Sequence, residues 1–187
     1  QVHFGGGSPT FLSDDELERL LSMLQTAFRF VPGGEYSIEV DPRTVDAGRL
    51  KRLAAMGFNR ISLGVQDFDP QVQHAVHRVQ PYEQVAELMA AARSEGFDSI
   101  NMDLIYGLPR QTLESFRRTL NQVVALKPER VALYAYAHLP QRFKPQRRID
   151  SALLPVPTDK IGMLAMAIEE FGVGGYDYIG MDHFAVP

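Results

Sequence analysis

The chain has no cysteine among its 187 residues. That absence excludes disulfides, thiolate nucleophiles, zinc sites built on cysteine, and iron–sulfur ligands supplied by the chain itself. A surplus of basic charge is also missing. Nineteen Lys and Arg stand against 23 Asp and Glu, a formal net charge of −4, which argues against a general nucleic-acid binder. No apolar run approaches the roughly 18 residues of a membrane helix, and no charged-then-apolar leader opens the chain. The expectation is a cytoplasmic protein with neither a membrane nor a nucleic-acid partner. What is present is ordinary for a globular fold: 45% hydrophobic, 10% aromatic and 22% charged residues. Disorder of the whole chain is excluded, and the length suits one domain over residues 1–187 with a sizeable core. The chain opens abruptly on Gln1-Val2-His3-Phe4 with no initiator Met, and its end at Pro187 is equally abrupt. Both ends read as those of a segment cut from a longer chain.

Helix signals recur. Ser13-Asp14-Asp15-Glu16 has the form of a capping box, and Leu12 and Leu17 sit where a hydrophobic staple would. Leu17, Leu20, Leu21, Leu24 and Phe28 follow at helical spacing. A second helix is expected from about Val45 to Met56, with Gly57 at its left-handed end. A third opens at Pro81 and stops at Gly96, and a fourth follows Thr112 and ends before Pro128. A fifth covers about Thr158 to Phe171, with Ile161, Leu164, Ala165 and Ile168 expected inward.

Short apolar runs lie between them: Val2–Phe4, Tyr36–Val40, Arg60–Val65, Ser99–Ile105, Val131–Tyr136 and Tyr176–Ile179. Strands alternating with helices at this spacing predict crossover units and a parallel sheet. An open or closed (β/α) barrel and a doubly wound sheet both fit the pattern. Pro140 to Pro157 reads as a long loop carrying the basic group Arg142, Lys144, Arg147 and Arg148.

In parallel βα folds, ligands bind beyond the carboxyl ends of the strands. Here those ends carry Gly5-Gly6-Gly7-Ser8, Glu39-Val40-Asp41, Gln66-Asp67, Asn101 with Asp103, and Tyr134-Ala135-Tyr136-Ala137-His138. Charged groups within apolar strand runs are costly unless paired or used. The triple glycine lacks the endings of a P-loop or a dinucleotide fingerprint. It allows bare backbone to approach a ligand closely. His74-x-x-His77 would place two imidazoles on one helical face, but no third ligand is evident and solvated histidines are the better reading. His183 beside Asp182 suits acid–base work or substrate binding, with nothing to choose between them. No Gly-x-Ser-x-Gly elbow supports Ser-His-Asp catalysis.

Taken together, four blocks resemble radical S-adenosylmethionine enzymes of the oxygen-independent coproporphyrinogen III oxidase family. They are Gly5-Gly6-Gly7-Ser8-Pro9-Thr10, Ile38-Glu39-Val40-Asp41-Pro42, Ser62-Leu63-Gly64-Val65-Gln66-Asp67-Phe68 and Asp103-Leu104-Ile105-Tyr106-Gly107-Leu108-Pro109. Tyr136-Ala137-His138-Leu139-Pro140 and Gly180-Met181-Asp182-His183-Phe184-Ala185 look like the oxidases rather than their haem-binding relatives. The resemblance implies a partial (β/α)6 three-quarter barrel whose first strand is missing. It implies a [4Fe–4S] cluster and two S-adenosylmethionines, with Gly6, Gly7, Ser8, Glu39, Gln66, Arg78, Asp103 and Ala137 as cofactor-binding residues. Ser8 stands where the family usually has Thr, and the family's Cys-x3-Cys-x2-Cys loop is absent from this chain.

The activity so implied is oxidative decarboxylation of two propionates of coproporphyrinogen III. A hydrogen atom, CO2 and one electron leave each propionate and a vinyl group remains, giving protoporphyrinogen IX for haem biosynthesis. An electron donor for the cluster and a monomeric parent protein go with it. Arg142, Arg147 and Arg148 are expected to meet substrate carboxylates; a solvated charged loop is the plain alternative. Competing readings are a haem chaperone of the same superfamily and a cysteine-free βα protein without radical chemistry. On its own the fragment is expected to be inactive, and to self-associate through the unpaired edge of its first strand.

Overall fold

The computed structural model describes residues 1–187. Seven strands form one sheet: β1 (Val2–Phe4), β2 (Tyr36–Val40), β3 (Arg60–Gln66), β4 (Ser99–Tyr106), β5 (Arg130–Ala135), β6 (Asp177–Gly180) and β7 (His183–Ala185), in the order β1-β2-β3-β4-β5-β7-β6. Each of β1 to β5 pairs with the next in parallel. Between them run α1 (Asp14–Ala27), α2 (Ala47–Ala55), α3 (Pro70–Ala75), α4 (Tyr82–Ser94) and α5 (Leu113–Leu126), with α6 (Pro157–Val173) before β6.

Local chemistry sets the helix starts. The Glu16 backbone N–H donates to Ser13 Oγ, while the Glu16 carboxylate accepts from the Ser13 N–H at 2.8 Å. Thr112 and Ser115 form the same reciprocal pair at the start of α5. Two orphan donors are satisfied at each end in this way.

The two central strands alternate strictly. In β3, Ile61, Leu63 and Val65 are buried while Arg60, Ser62, Gly64 and Gln66 are only partly covered. In β4, Ile100, Met102 and Leu104 are buried between Ser99, Asn101, Asp103 and Ile105. The buried set joins residues of five of the six helices in one core of 30 side chains. Helices therefore cover one face of the sheet only. A doubly wound sheet would bury both faces and read as continuous apolar runs. The opposite face is polar and forms the inner wall of a partial barrel.

Four expectations need correction. First, the C-terminal end of the sheet is not parallel. β7 runs antiparallel to β5 and β6 antiparallel to β7. The hairpin turns through Met181 and Asp182 at φ of 49° and 63°, without the Asn-Gly or Asp-Gly pair that marks such turns in sequence. Second, α6 buries Met163, Ala167 and Phe171, whereas Ile161 is 71% and Ile168 43% exposed. This helix is apolar on nearly every side, so two stripes of equal hydrophobicity compete and periodicity selects neither. Third, α3 ends at Ala75 and His77 lies beyond it at φ 55°. The two-imidazole helical face at His74 and His77 does not form. Fourth, Phe28, expected on the inner stripe of α1, is the residue that caps its C-terminus and is 64% exposed.

Candidate functional site

The strand register lays the inward residues in rows. Glu39 lies opposite Ser62, Ser62 opposite Asn101, and Asn101 opposite Arg130. The next row is Gly64, Asp103, Ala132 and His183. Polar side chains from β1, β2, β3, β4, β5 and β7 thus share a concave surface of about 430 Å³, which includes His3, Glu39, Ser62, Asp103, Tyr134 and His183.

At one end, the loop after β1 closes on Glu39. The Gly6 N–H donates to Glu39 Oε2 at 3.1 Å, and His3 Nε2 lies 3.4 Å from Glu39 Oε1. His3 Nδ1 shares a 2.7 Å hydrogen bond with Ser37 Oγ. Gly6 and Gly7 both have φ 81°, and a Cβ on either would meet nothing within 4 Å. Their bare backbone faces open space in a conformation that residues with a Cβ avoid. Ser8 is exposed, and its hydroxyl caps nothing in the short 3-10 turn Pro9–Phe11.

In the middle of the wall, Ser62 Oγ donates to Asp103 Oδ2 at 2.9 Å and Asn101 Nδ2 to Asp103 Oδ1 at 2.7 Å. Burial pushes the Asp103 carboxyl above its ordinary pKa, and repulsion from Glu39 adds to the rise. The two hydrogen bonds and the nearby His183 oppose it without cancelling it. A carboxyl with a raised native pKa favours folding most below its unfolded value, about 3.9. That advantage is lost as pH climbs toward the native value. Asp103→Asn removes the titration. Its melting temperature is expected to gain on the parent's as pH rises from 4 to 7 and to hold that margin above. Melts at several pH values read this directly; a margin independent of pH would contradict it.

At the far end, Gln66 ends β3 at φ 70°. A Cβ on Gly64 would lie 3.1 Å from Gln66 Nε2 and 3.4 Å from Arg78 Nη2, so the amide and guanidinium sit together over that glycine. Arg78 Nη2 donates to the Gly64 carbonyl at 3.0 Å and lies 3.5 Å from Asp41 Oδ1. Burial works against the Asp41 carboxylate. Hydrogen bonds from Arg43 and the charge of Arg78 outweigh it and draw the pKa below the ordinary range. Burial lowers the pKa of Arg78, against the pull of Asp41. Arg78 Nε is buried and has no partner.

Gln66, Arg78, Ile105, Tyr136, Lys144 and Arg148 line a cleft of about 590 Å³ under the Pro140–Pro157 loop. Ala137 is exposed beside it, and its carbonyl accepts from Gln146 Nε2 at 3.0 Å. The predicted residues therefore fall into two groups. Gly6, Glu39 and Asp103 lie toward the barrel wall, while Gln66, Arg78 and Arg148 lie in the cleft. Arg147 Nε donates to the Pro140 carbonyl at 3.0 Å and braces the loop, and Arg142 lines neither space.

Sequence reading missed His3, Ser62 and Lys160. Lys160 Nζ donates to the Tyr136 carbonyl at 2.9 Å, crossing a bare Gly107 whose Cβ would lie 2.5 Å from Lys160 Cε. Period-two alternation with Val2 and Phe4, and with Ile61 and Leu63, would have found His3 and Ser62. Lys160 lies on α6 and left no such signal. No group of three or more His, Asp or Glu side chains is placed to hold a metal ion.

The Radical SAM superfamily model matches residues 1–123. The oxygen-independent coproporphyrinogen III oxidase of Pseudomonas aeruginosa is 52% identical over 189 aligned residues, covering 100% of this chain and 41% of its own length. The Escherichia coli protein of the same name is 49% identical, with coverage of 100% and 41%. The solved Escherichia coli coproporphyrinogen III oxidase, described as a radical SAM enzyme, superposes with a TM-score of 0.96 at 49% identity, over 99% of this chain and 43% of that one. A radical S-adenosylmethionine methyltransferase from Kitasatospora setae shares the fold alone, with a TM-score of 0.60 at 17% identity over 73% of this chain and 28% of its own. The chain spans about 41% of the length of the curated relatives it matches. With residues 1–123 matched by the superfamily model and the partial barrel shared with solved members, the chain belongs to the radical SAM superfamily.

Proposed function

We propose that residues 1–187 are one domain of an oxygen-independent coproporphyrinogen III oxidase. The observation that carries this reading is the agreement of the whole chain with relatives of that name, at 52% identity and without interruption of the fold. Family membership implies S-adenosylmethionine and a [4Fe–4S] cluster. The chain has no cysteine, so thiolate ligands for a cluster lie outside it.

The residues present suit S-adenosylmethionine, a sulfonium cation with a zwitterionic methionine end, a ribose and an adenine. The open backbone of Gly6 and Gly7 offers an edge for its methionine part, and the exposed Ser8 hydroxyl is free beside it. Glu39 accepts from an ammonium group. Arg78 keeps a buried, unpartnered Nε, a donor left for a carboxylate. Asp103 accepts from ribose hydroxyls, Gln66 lines the cleft, and Ala137 lies beside it. Two such cofactors are proposed. When bound, the cluster and S-adenosylmethionine supply one-electron, hydrogen-abstracting chemistry. The protein's part is to orient and enclose. Arg148, in the cleft wall, is the best placed of Arg142, Arg147 and Arg148 to meet a substrate propionate, with Lys144 beside it.

An electron donor, a monomeric parent and a cytoplasmic location belong to the same proposal. No helix is long and apolar enough to cross a membrane, and the charge balance gives no support to a nucleic-acid partner. The test is anaerobic turnover of coproporphyrinogen III by the full-length protein with S-adenosylmethionine and a reductant. Two CO2 per tetrapyrrole and a divinyl product are expected. Stoichiometric haem binding without CO2 release would overturn the assignment.

A further inference from the structure

Asp67 is 1% exposed and is the one carboxylate among the buried residues. It accepts three hydrogen bonds: from the Asp69 N–H at 2.6 Å, from Thr119 Oγ1 at 2.8 Å, and from Gln111 Nε2 at 2.6 Å. Gln111, itself 3% exposed, then accepts from the backbone N–H groups of Gly107 and Leu108 and donates to the Ile105 carbonyl at 3.0 Å. The end of β3 is thereby tied to the end of β4.

The backbone of the same residue is held as firmly. The Asp67 carbonyl accepts from Gln73 Nε2 at 2.9 Å, and the Asp67 N–H donates to the Val65 carbonyl at 2.9 Å. That last bond closes a three-residue turn around Gln66 at φ 70°, a strained form for a residue with a side chain. Gln80, 0% exposed, donates to the Gly64 and Val65 carbonyls and is joined to Gln73 in turn. Strain of this kind persists only where the surroundings over-determine it.

We infer that Asp67 is a positioning residue: by its bonds to Gln111 and to its own turn, it fixes Gln66 beside Arg78 in the cleft. The inference rests on the proposed role of that cleft in S-adenosylmethionine binding. All the donors facing Asp67 require acceptors, which explains the residue type. An asparagine has one acceptor oxygen. Turned toward Gln111, it sets its amide against the Asp69 N–H. Turned the other way, it opposes Gln111 Nε2, and a flipped Gln111 would surrender the Gly107 and Leu108 N–H groups.

The test is calorimetric titration of S-adenosylmethionine into the full-length, cluster-loaded protein, with unfolding followed separately. Asp67→Asn is expected to weaken binding roughly 10-fold or more while the protein stays folded. Asp67→Asn combined with Gln111→Glu restores a donor facing an acceptor at that contact but turns a carboxylate oxygen toward the Ile105 carbonyl, and is expected to recover part of the affinity lost by Asp67→Asn alone. Leu53→Ala, a core truncation on α2, lowers stability without touching these groups and should bind normally. Parent-like binding by Asp67→Asn, or equal weakening by Leu53→Ala, would overturn the inference. Failure of the unsubstituted protein to bind S-adenosylmethionine would instead overturn the cofactor reading on which it stands.

Discussion

Gly5→Ala is expected to lower kcat/KM of the full-length protein for S-adenosylmethionine by about 100-fold and to leave its melting temperature almost unchanged. A Cβ at residue 5 would lie 2.6 Å from His3 Nε2 and 2.7 Å from Glu39 Oε1, with Glu39 Cδ at 2.9 Å. No real Cβ approaches so closely, so something must move. The backbone at Gly5 is outside the left-handed region, which leaves alanine free of conformational strain there. What moves is the tip of two partly exposed side chains, and that motion costs the fold little. It costs the site more. Glu39 swings away from the Gly6 N–H, and the carboxylate proposed to meet the cofactor's ammonium group is misplaced. Titration of S-adenosylmethionine alongside a melt separates the two effects. Unchanged affinity would show that Glu39 has another place to go.

Phe171→Ala has the largest expected effect on stability. Phe171 is 0% exposed and packs against Phe184 at a ring separation of 4.8 Å and Tyr176 at 5.7 Å. Truncating such a ring removes its burial and leaves a cavity, about 4 kcal/mol in all. In a chain of this size that is roughly a 10 °C fall in melting temperature. Phe184 in turn meets Tyr178 at 5.1 Å, so the ring cluster holds the β6–β7 hairpin against α6. Tyr176 donates to the Pro128 carbonyl at 2.7 Å, and burial pushes its phenol up to about 12. Phe171→Leu should keep more than half of the loss at bay, because it fills most of the space. A fall of only 1 or 2 °C for alanine would mean that the hairpin is held chiefly by its strand pairing.

Local features were the legible ones. Ser13 with Glu16 marks a helix start within four residues, and Thr112 does so with a serine in place of Glu. The five parallel strands were readable because each is an apolar run bounded by glycine, proline or polar residues. The rim residues at Gly6, Glu39, Gln66 and Asp103 followed from strand ends, and the common purpose proposed for them comes from the family resemblance alone. What stayed hidden depends on distant partners. Asp67 meets Gln111 and Thr119 across 44 and 52 residues of chain. Gln111 and Gln73, 3% and 4% exposed, carry no mark in the sequence that announces their burial. The inward stripe of α6 was misread because the other side of that helix is as apolar. The final hairpin was missed because β7 is three residues long and its turn uses Met181 and Asp182.

The one-sided helix layer has a consequence for how such a sheet can change. Along β2, β3 and β4, alternate positions belong to different tasks. Ile38, Ile61 and Leu63, and Ile100 and Met102, hold the helices, while Glu39, Ser62 and Asn101 line the polar wall. Even- and odd-numbered positions are therefore nearly independent variables. Exchanges among the polar wall residues leave the packed face intact, so selection can rewrite what the barrel accepts without first rebuilding what holds it up.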